Sequence, residues 1–207
     1  MTPALVIFKP DAAHRAAVRV AIWEWLDRRD DLRFQSMHWY QAPPDLIEQH
    51  YDFLKERPFF PWLVDFMTAL PVIVGKVEVE DLDKLRHDLG ETQIAKARPG
   101  SIRERYGIYG GINCLHLSDS PETGLRELEI WEEYVDLEHG ISADKLDDRD
   151  GLREHTYQLR SLATQYAAGL HKELAGEVIK GLLREETDID DYRFQAFVRI
   201  ILGALEA

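Results

Sequence analysis

An α+β fold, with an antiparallel sheet in the first two thirds and helices alone after it, is predicted by three observations. Strand-like and helix-like runs alternate through residues 1–134; residues 135–207 carry helical patterns only; and the alternating part has the order β-α-β-(α)-β-α-β-α. Ala4–Phe8 is a short apolar run ended by Lys9-Pro10-Asp11, which predicts a buried strand. Val18, Ala21, Ile22, Trp25 and Leu26 then recur at helical spacing. Leu32 to Tyr40 is the second strand, closed by Pro43-Pro44. Asp45 has the type of an N-cap for a helix over 46–56, and a short helix follows Pro61. Pro71–Val79 is the third strand, and Asp81–Leu89 a helix stopped by Gly90. Residues 90–112 are glycine-rich and without a clear period, so they read as a long loop, and loops of that length are usually functional. Asn113–Leu117 is the fourth strand. Pro121–Tyr134 is a helix with Ser120 at its N-cap, Pro121 at its first position and Glu122 in its first turn. This order fits a split βαβ, ferredoxin-like sheet with helices on one face.

The tail predicts a helix over about 190–206, because Phe194, Phe197, Val198, Ile201, Leu202 and Leu205 follow i, i+3, i+4, i+7 spacing. Leu159, Leu162, Tyr166, Leu170, Leu174 and Val178 predict one or two earlier helices, with Gly169, Gly176 and Gly181 as weak points. The acidic run 144–150 reads as a solvated linker. We therefore expect two units, 1–134 and an all-helical extension over 135–207. Self-packing of the extension is favoured over a free partner-binding surface, since amphipathic helices must bury their stripes.

Composition narrows the function. A net charge of −13 over 207 residues argues against nucleic-acid binding, which needs a basic footprint. A single cysteine, Cys114, allows no intrachain disulfide and suits a reducing compartment. The opening MTPALVIFKPD lacks a signal-peptide pattern, and no apolar stretch approaches the roughly 18 residues that span a membrane. A cytoplasmic protein without membrane contact is expected.

Against this acidic background Lys96, Arg98, Arg103 and Arg105 cluster, opposed only by Glu104. The segment is either an ordinary solvated loop or a phosphate clamp, because guanidinium forks match phosphate oxygens. Neither GxxxxGK[ST] nor GxGxxG accompanies it. Lys9, at the end of a buried strand, either snorkels to solvent or faces a cleft. His116 lies between two leucines just ahead of a helix start, and Glu127 follows two turns into that helix. A carboxylate on one ring nitrogen would fix the tautomer and leave the other nitrogen nucleophilic. Ser118 lacks a GxSxG context. His50 and His116 stand isolated from other ligand types in sequence, so no protein metal site is expected.

Taken together, these motifs resemble the nucleoside diphosphate kinase family. Its signature Asn-x-x-His-Gly-Ser-Asp is matched by NCLHLSD, and its first strand and lysine motif by LVIFKPDAAHR. HYDFLKERPFFPWLVDFM, LGETQIAKARPGSIRERYG and SDSPETGLRELEIW are similar to further family motifs, in order, through about residues 4–134. The resemblance implies a kinase that passes the γ-phosphoryl group between nucleoside triphosphates and diphosphates by a ping-pong mechanism. His116 would be the phosphate carrier, with Glu127 and Ser118 orienting it. Lys9, Tyr51, Arg86, Thr92, Arg103 and Asn113 would surround phosphates and ribose, and Phe59 would stack on the base. Mg2+ would bridge the phosphates, and the protein would form a homo-oligomer, a dimer at least. The alternative is a nucleotide-binding regulatory module acting through its tail. Three departures stand out: Leu117 replaces the family's glycine after the histidine, Ile94 replaces a proline, and RAAVRVAI replaces a small glycine-containing segment. A leucine at 117 is expected to crowd the nucleophile if that position needs room or a positive φ.

Overall fold

The computed structural model describes residues 1–143 and 151–206. The predicted linker 144–150 lies outside the described residues. The chain runs β1 (Thr2–Phe8), α1 (Pro10–Ala13), α2 (Ala16–Asp27), β2 (Leu32–Phe34), β3 (Ser36–Tyr40), α3 (Pro44–His50), α4 (Phe60–Thr68), β4 (Val72–Val79) and α5 (Leu82–Leu89). It continues through α6 (Ile102–Tyr106), β5 (Leu115–Leu117), α7 (Pro121–Glu132), β6 (Gly140–Ile141), α8 (Thr156–Ala167), α9 (Lys172–Glu186) and α10 (Asp191–Ala204).

The sheet has the order β5-β1-β4-β3-β6, with β2 also on β4. Every pair is antiparallel except β3 with β6. This is the split βαβ, ferredoxin-like arrangement. The predicted second strand is broken in two by a bulge. Phe34 lies opposite Val77 but His38 opposite Val74, so the strand carries one residue more than its partner. Gly75 makes the bulge possible, since a Cβ there would lie 2.0 Å from the Ser36 carbonyl oxygen.

Helices cover both faces of the sheet, not one. Ala4, Val6 and Phe8 share a cluster with Val18, Ile22 and Leu26 of α2 and with Leu82, Leu85 and Leu89 of α5. Leu5 and Ile7 belong to a second cluster with Leu46, Phe66, Leu128 and Trp131. The reason lies in β1 itself: Ala4 through Phe8 are all buried, so both its faces need cover. The tail joins that cluster through α4: Leu159, Ile179, Leu183, Phe197 and Ile201 belong to it, and α10 packs against α4. Trp62 Nε1 of α4 also donates to the Ile200 carbonyl at 3.0 Å.

Several element boundaries differ from expectation. The helix predicted over 46–56 stops at His50, and Pro43, not Asp45, stands at its N-cap. The Asp45 carboxylate instead accepts from the Tyr134 hydroxyl at 3.0 Å. The predicted loop 90–112 contains α6, whose cap Ser101 is the local signal that the lack of period concealed. In the tail the apolar stripe does not continue through Leu170, Leu174 and Val178, which are exposed. Gly169, at φ +72°, ends α8, and α9 restarts with Ala175, Ile179 and Leu183 inward. Gly176 is no weak point: it lets the Tyr166 ring approach α9, with 3.3 Å left to an added Cβ.

Candidate active site

His116 sits in β5 opposite Ile7 of β1 and points to the sheet face away from its leucine neighbours. Its Nε2 lies 3.0 Å from Glu127 Oε2, and Ser118 Oγ donates to the same oxygen at 2.6 Å. Ser118 Oγ in turn accepts the Leu5 N–H at 2.9 Å. The Ser120–Thr123 capping box starts α7 so that Glu127, two turns on, faces back to β5. Burial pushes the Glu127 carboxyl up, but the His116 charge and the bonds from His116 and Ser118 outweigh it, leaving it below the ordinary carboxylate value. An ionised Glu127 can only accept, so Nε2 carries a proton, and in the neutral imidazole the lone pair is then on Nδ1.

Two rings brace the imidazole. His50 stands edge-on to it at 4.5 Å between centroids, and Tyr51 at 5.9 Å. Trp131 Nε1 donates to His50 Nδ1 at 3.3 Å, and burial holds His50 well below its usual pKa, so it is neutral. The expectation that His50 and His116 stand apart from other ligand types is corrected here. His50, His116 and Glu127 each place one potential ligand atom within 4.8 Å of the others. Chain separation hid this, because α3, β5 and α7 converge only in three dimensions.

The cationic side chains form a second, connected set. Lys9 Nζ donates to Asn113 Oδ1 at 2.8 Å and to the Gly111 carbonyl at 3.2 Å. Asn113 Nδ2 donates to the Thr92 carbonyl at 2.9 Å. Arg103 reaches from α6 to the Gly90 and Leu115 carbonyls and to Thr92 Oγ1. Burial, with Arg103 nearby, lowers the Lys9 ammonium to about 8; burial lowers Arg103 to about 10. Arg86 donates to the Leu117 and Ser118 carbonyls and pairs with Asp119 at 2.5 Å. Among the described residues, four buried polar atoms around the site lack a hydrogen-bond partner: the Tyr51 hydroxyl, Arg103 Nε, His50 Nε2 and Asp11 Oδ1. The first two are donors, which suit an anionic ligand.

Nine of the ten predicted residues are thus brought together: His116, Glu127, Ser118, Lys9, Tyr51, Arg86, Thr92, Arg103 and Asn113. Phe59 stands apart at the start of α4. It is exposed, and among the described residues no ring or polar contact joins its side chain to the set. Leu117 does not crowd the histidine. It pairs with Val6 in ordinary strand conformation and lies in the cluster on the opposite face. The positive φ falls at Cys114 instead, at +75°. That backbone is held by Asp11 Oδ2, which accepts the Cys114 N–H, and by Lys9 N–H, which donates to the Cys114 carbonyl. Asp11 and His50 were not identified as site residues in sequence. A charged residue three places past a buried strand was the available sign of Asp11.

Comparison with known proteins agrees with this geometry. The family model described as nucleoside diphosphate kinase matches residues 3–135. A nucleoside diphosphate kinase of Herpetosiphon aurantiacus is 35% identical over 145 residues, which is 68% of this chain and 96% of that protein. The solved structure of the Aquifex aeolicus nucleoside diphosphate kinase is 32% identical, with a TM-score of 0.57, over 67% of this chain and 99% of that one. The corresponding kinase structure from Encephalitozoon cuniculi is 26% identical, with a TM-score of 0.61, over 69% and 95%. In sequence and fold alike, the chain belongs to the nucleoside diphosphate kinase family of phosphotransferases.

Proposed function

We propose that this protein transfers the γ-phosphoryl group of a nucleoside triphosphate to a nucleoside diphosphate through a phosphohistidine at His116. The carrying observation is the Glu127 oxygen that bonds both His116 Nε2 and Ser118 Oγ, because it leaves Nδ1 unprotonated and directed as a nucleophile. In the first half-reaction the Nδ1 lone pair forms the N–P bond. The bond from the γ-phosphorus to the bridging oxygen breaks, and its electron pair leaves with the nucleoside diphosphate. The Nε2 proton stays in place, and Glu127 offsets the charge gained by the ring. A terminal oxygen of a second diphosphate then takes the phosphoryl group by the reverse path.

Lys9, Arg86 and Arg103 would compensate charge on the transferring group, where electrostatic stabilisation and positioning lower most of the barrier. Tyr51, Thr92 and Asn113 would bind phosphate and ribose oxygens, and Phe59 would offer an exposed face to the base. A divalent cation, Mg2+ in this reading, would neutralise the β- and γ-phosphates. The donor set fits that role: Glu127 is engaged by His116 and Ser118, and Asp119 by Arg86, so a hard cation draws its oxygens mainly from the nucleotide. Assembly into at least a dimer belongs to the same reading and is measured by mass in solution, where a monomer refutes it. So does a cytoplasmic location, supported by the free, buried Cys114.

The test is to mix the protein with γ-labelled ATP. An acid-labile, alkali-stable phosphoprotein that passes its label to added GDP is expected, and His116→Ala should abolish it while nucleotide binding persists. ATP binding without any such intermediate refutes the mechanism.

A further inference from the structure

The short helix α6 delivers Arg103 to the site, yet its own sequence does little to hold it in place. It has five residues, too few to persist alone, and the chain leaves it extended at Gly107. Its last carbonyls are capped from elsewhere. Arg160, on the C-terminal helix α8, donates through Nη2 to the Glu104 carbonyl, and through Nε and Nη2 to the Gly107 carbonyl at 3.1 and 2.7 Å. Arg15 Nη1 donates to the Tyr106 carbonyl between them at 3.0 Å. Arg15 is fully buried and is itself tied to the tail, bonding Thr156 Oγ1 at 2.7 Å and the Glu186 carboxylate.

We propose that Arg160 is a positioning residue for nucleotide binding, acting through the carbonyl end of α6 to fix Arg103. The proposal rests on the kinase reading of the site. It gives the extension a part in that site: one planar fork serves a carbonyl of the helix that carries the phosphate-binding arginine and the carbonyl just past its end. A guanidinium at a helix C-terminus satisfies orphan carbonyls and meets the negative end of the dipole. Lysine provides the charge but not the fork.

Two measurements on the full chain test it: equilibrium binding of ADP, and hydrogen exchange of the backbone amides of residues 102–107. Arg160→Gln should weaken ADP binding by about tenfold and speed exchange at 102–107 while leaving β1 and β4 protected. Arg160→Lys should recover part of the affinity. Arg153→Gln, which removes an exposed tail arginine paired with Glu185, should change neither measurement. Unchanged exchange at 102–107 overturns the clamp, as does unchanged ADP affinity in Arg160→Gln. If Arg160→Gln fails to fold, Arg160→Lys takes its place, and wild-type behaviour in both measurements refutes the proposal. A wild-type protein that binds no ADP refutes the kinase reading instead, which the exchange measurement does not depend on.

Discussion

His116 and Glu127 are joined through one nitrogen and one oxygen, Nε2 to Oε2 at 3.0 Å, so the carboxylate sets which ring nitrogen is free. Glu127→Gln keeps the size of that partner and removes its charge. Phosphohistidine formation should slow by about 10–100-fold with nucleotide affinity largely kept. Rapid-quench measurement of the labelled intermediate checks this, and an unchanged rate would show that the carboxylate does not assist the ring.

If Lys9 holds phosphate as proposed, nucleotide binding should depend on pH. Burial holds its pKa at about 8, so the ammonium is charged at neutral pH and loses its proton as pH rises. The charged form attracts phosphate, so ADP affinity should fall above about pH 8, towards tenfold per unit, before Arg103 titrates. Lys9→Gln should flatten the profile, as read by titration calorimetry across that range.

Leu117 matters to stability and not to transfer. Its side chain is 4% exposed, in the cluster on the face opposite His116. Leu117→Ala should therefore cost about 2–4 kcal/mol in urea denaturation. Label transfer per folded molecule should stay at the wild-type level; a gain in transfer would mean that the leucine hinders the histidine after all.

Glu186 and Arg15 form an ion pair with both side chains fully buried. Glu186→Ala leaves the buried guanidinium with only the more distant, part-exposed Glu154 carboxylate at 3.6 Å, and a loss of up to about 3–5 kcal/mol is expected. Replacing both residues, as Arg15→Met with Glu186→Leu, should recover part of that loss. Denaturation midpoints of the three proteins decide it, and a double variant no better than the single one refutes the stranded-charge account.

Legibility followed sequence distance. The four main strands and most of the helices were visible because period, caps and breakers are local; Ser120, Asp81 and Gly90 work where their types predict. The proposed catalytic group could be named through the family motifs, which carry residue types in order. What stayed hidden depends on contacts between distant segments. The single-face expectation overlooked that Ala4–Phe8 is apolar at every position and demands two covers. The Leu170–Val178 stripe matched a helical period that the turn at Gly169 interrupts. Leu117 looked like an intrusion because a motif aligned by residue type shows no side-chain direction. Nothing near Arg160 indicates that it caps α6, more than fifty residues earlier in the chain.

The shared core also has a consequence for synthesis. Leu5 and Ile7 belong to one apolar cluster with Ile201 and Leu205, which are made far later in the chain. The α4 surface that α10 covers stays open until those residues emerge, and apolar surface of this kind invites aggregation in a nascent chain. Chains cut short near residue 190 should therefore be substrates for chaperones and proteases even though every proposed catalytic residue has already been made.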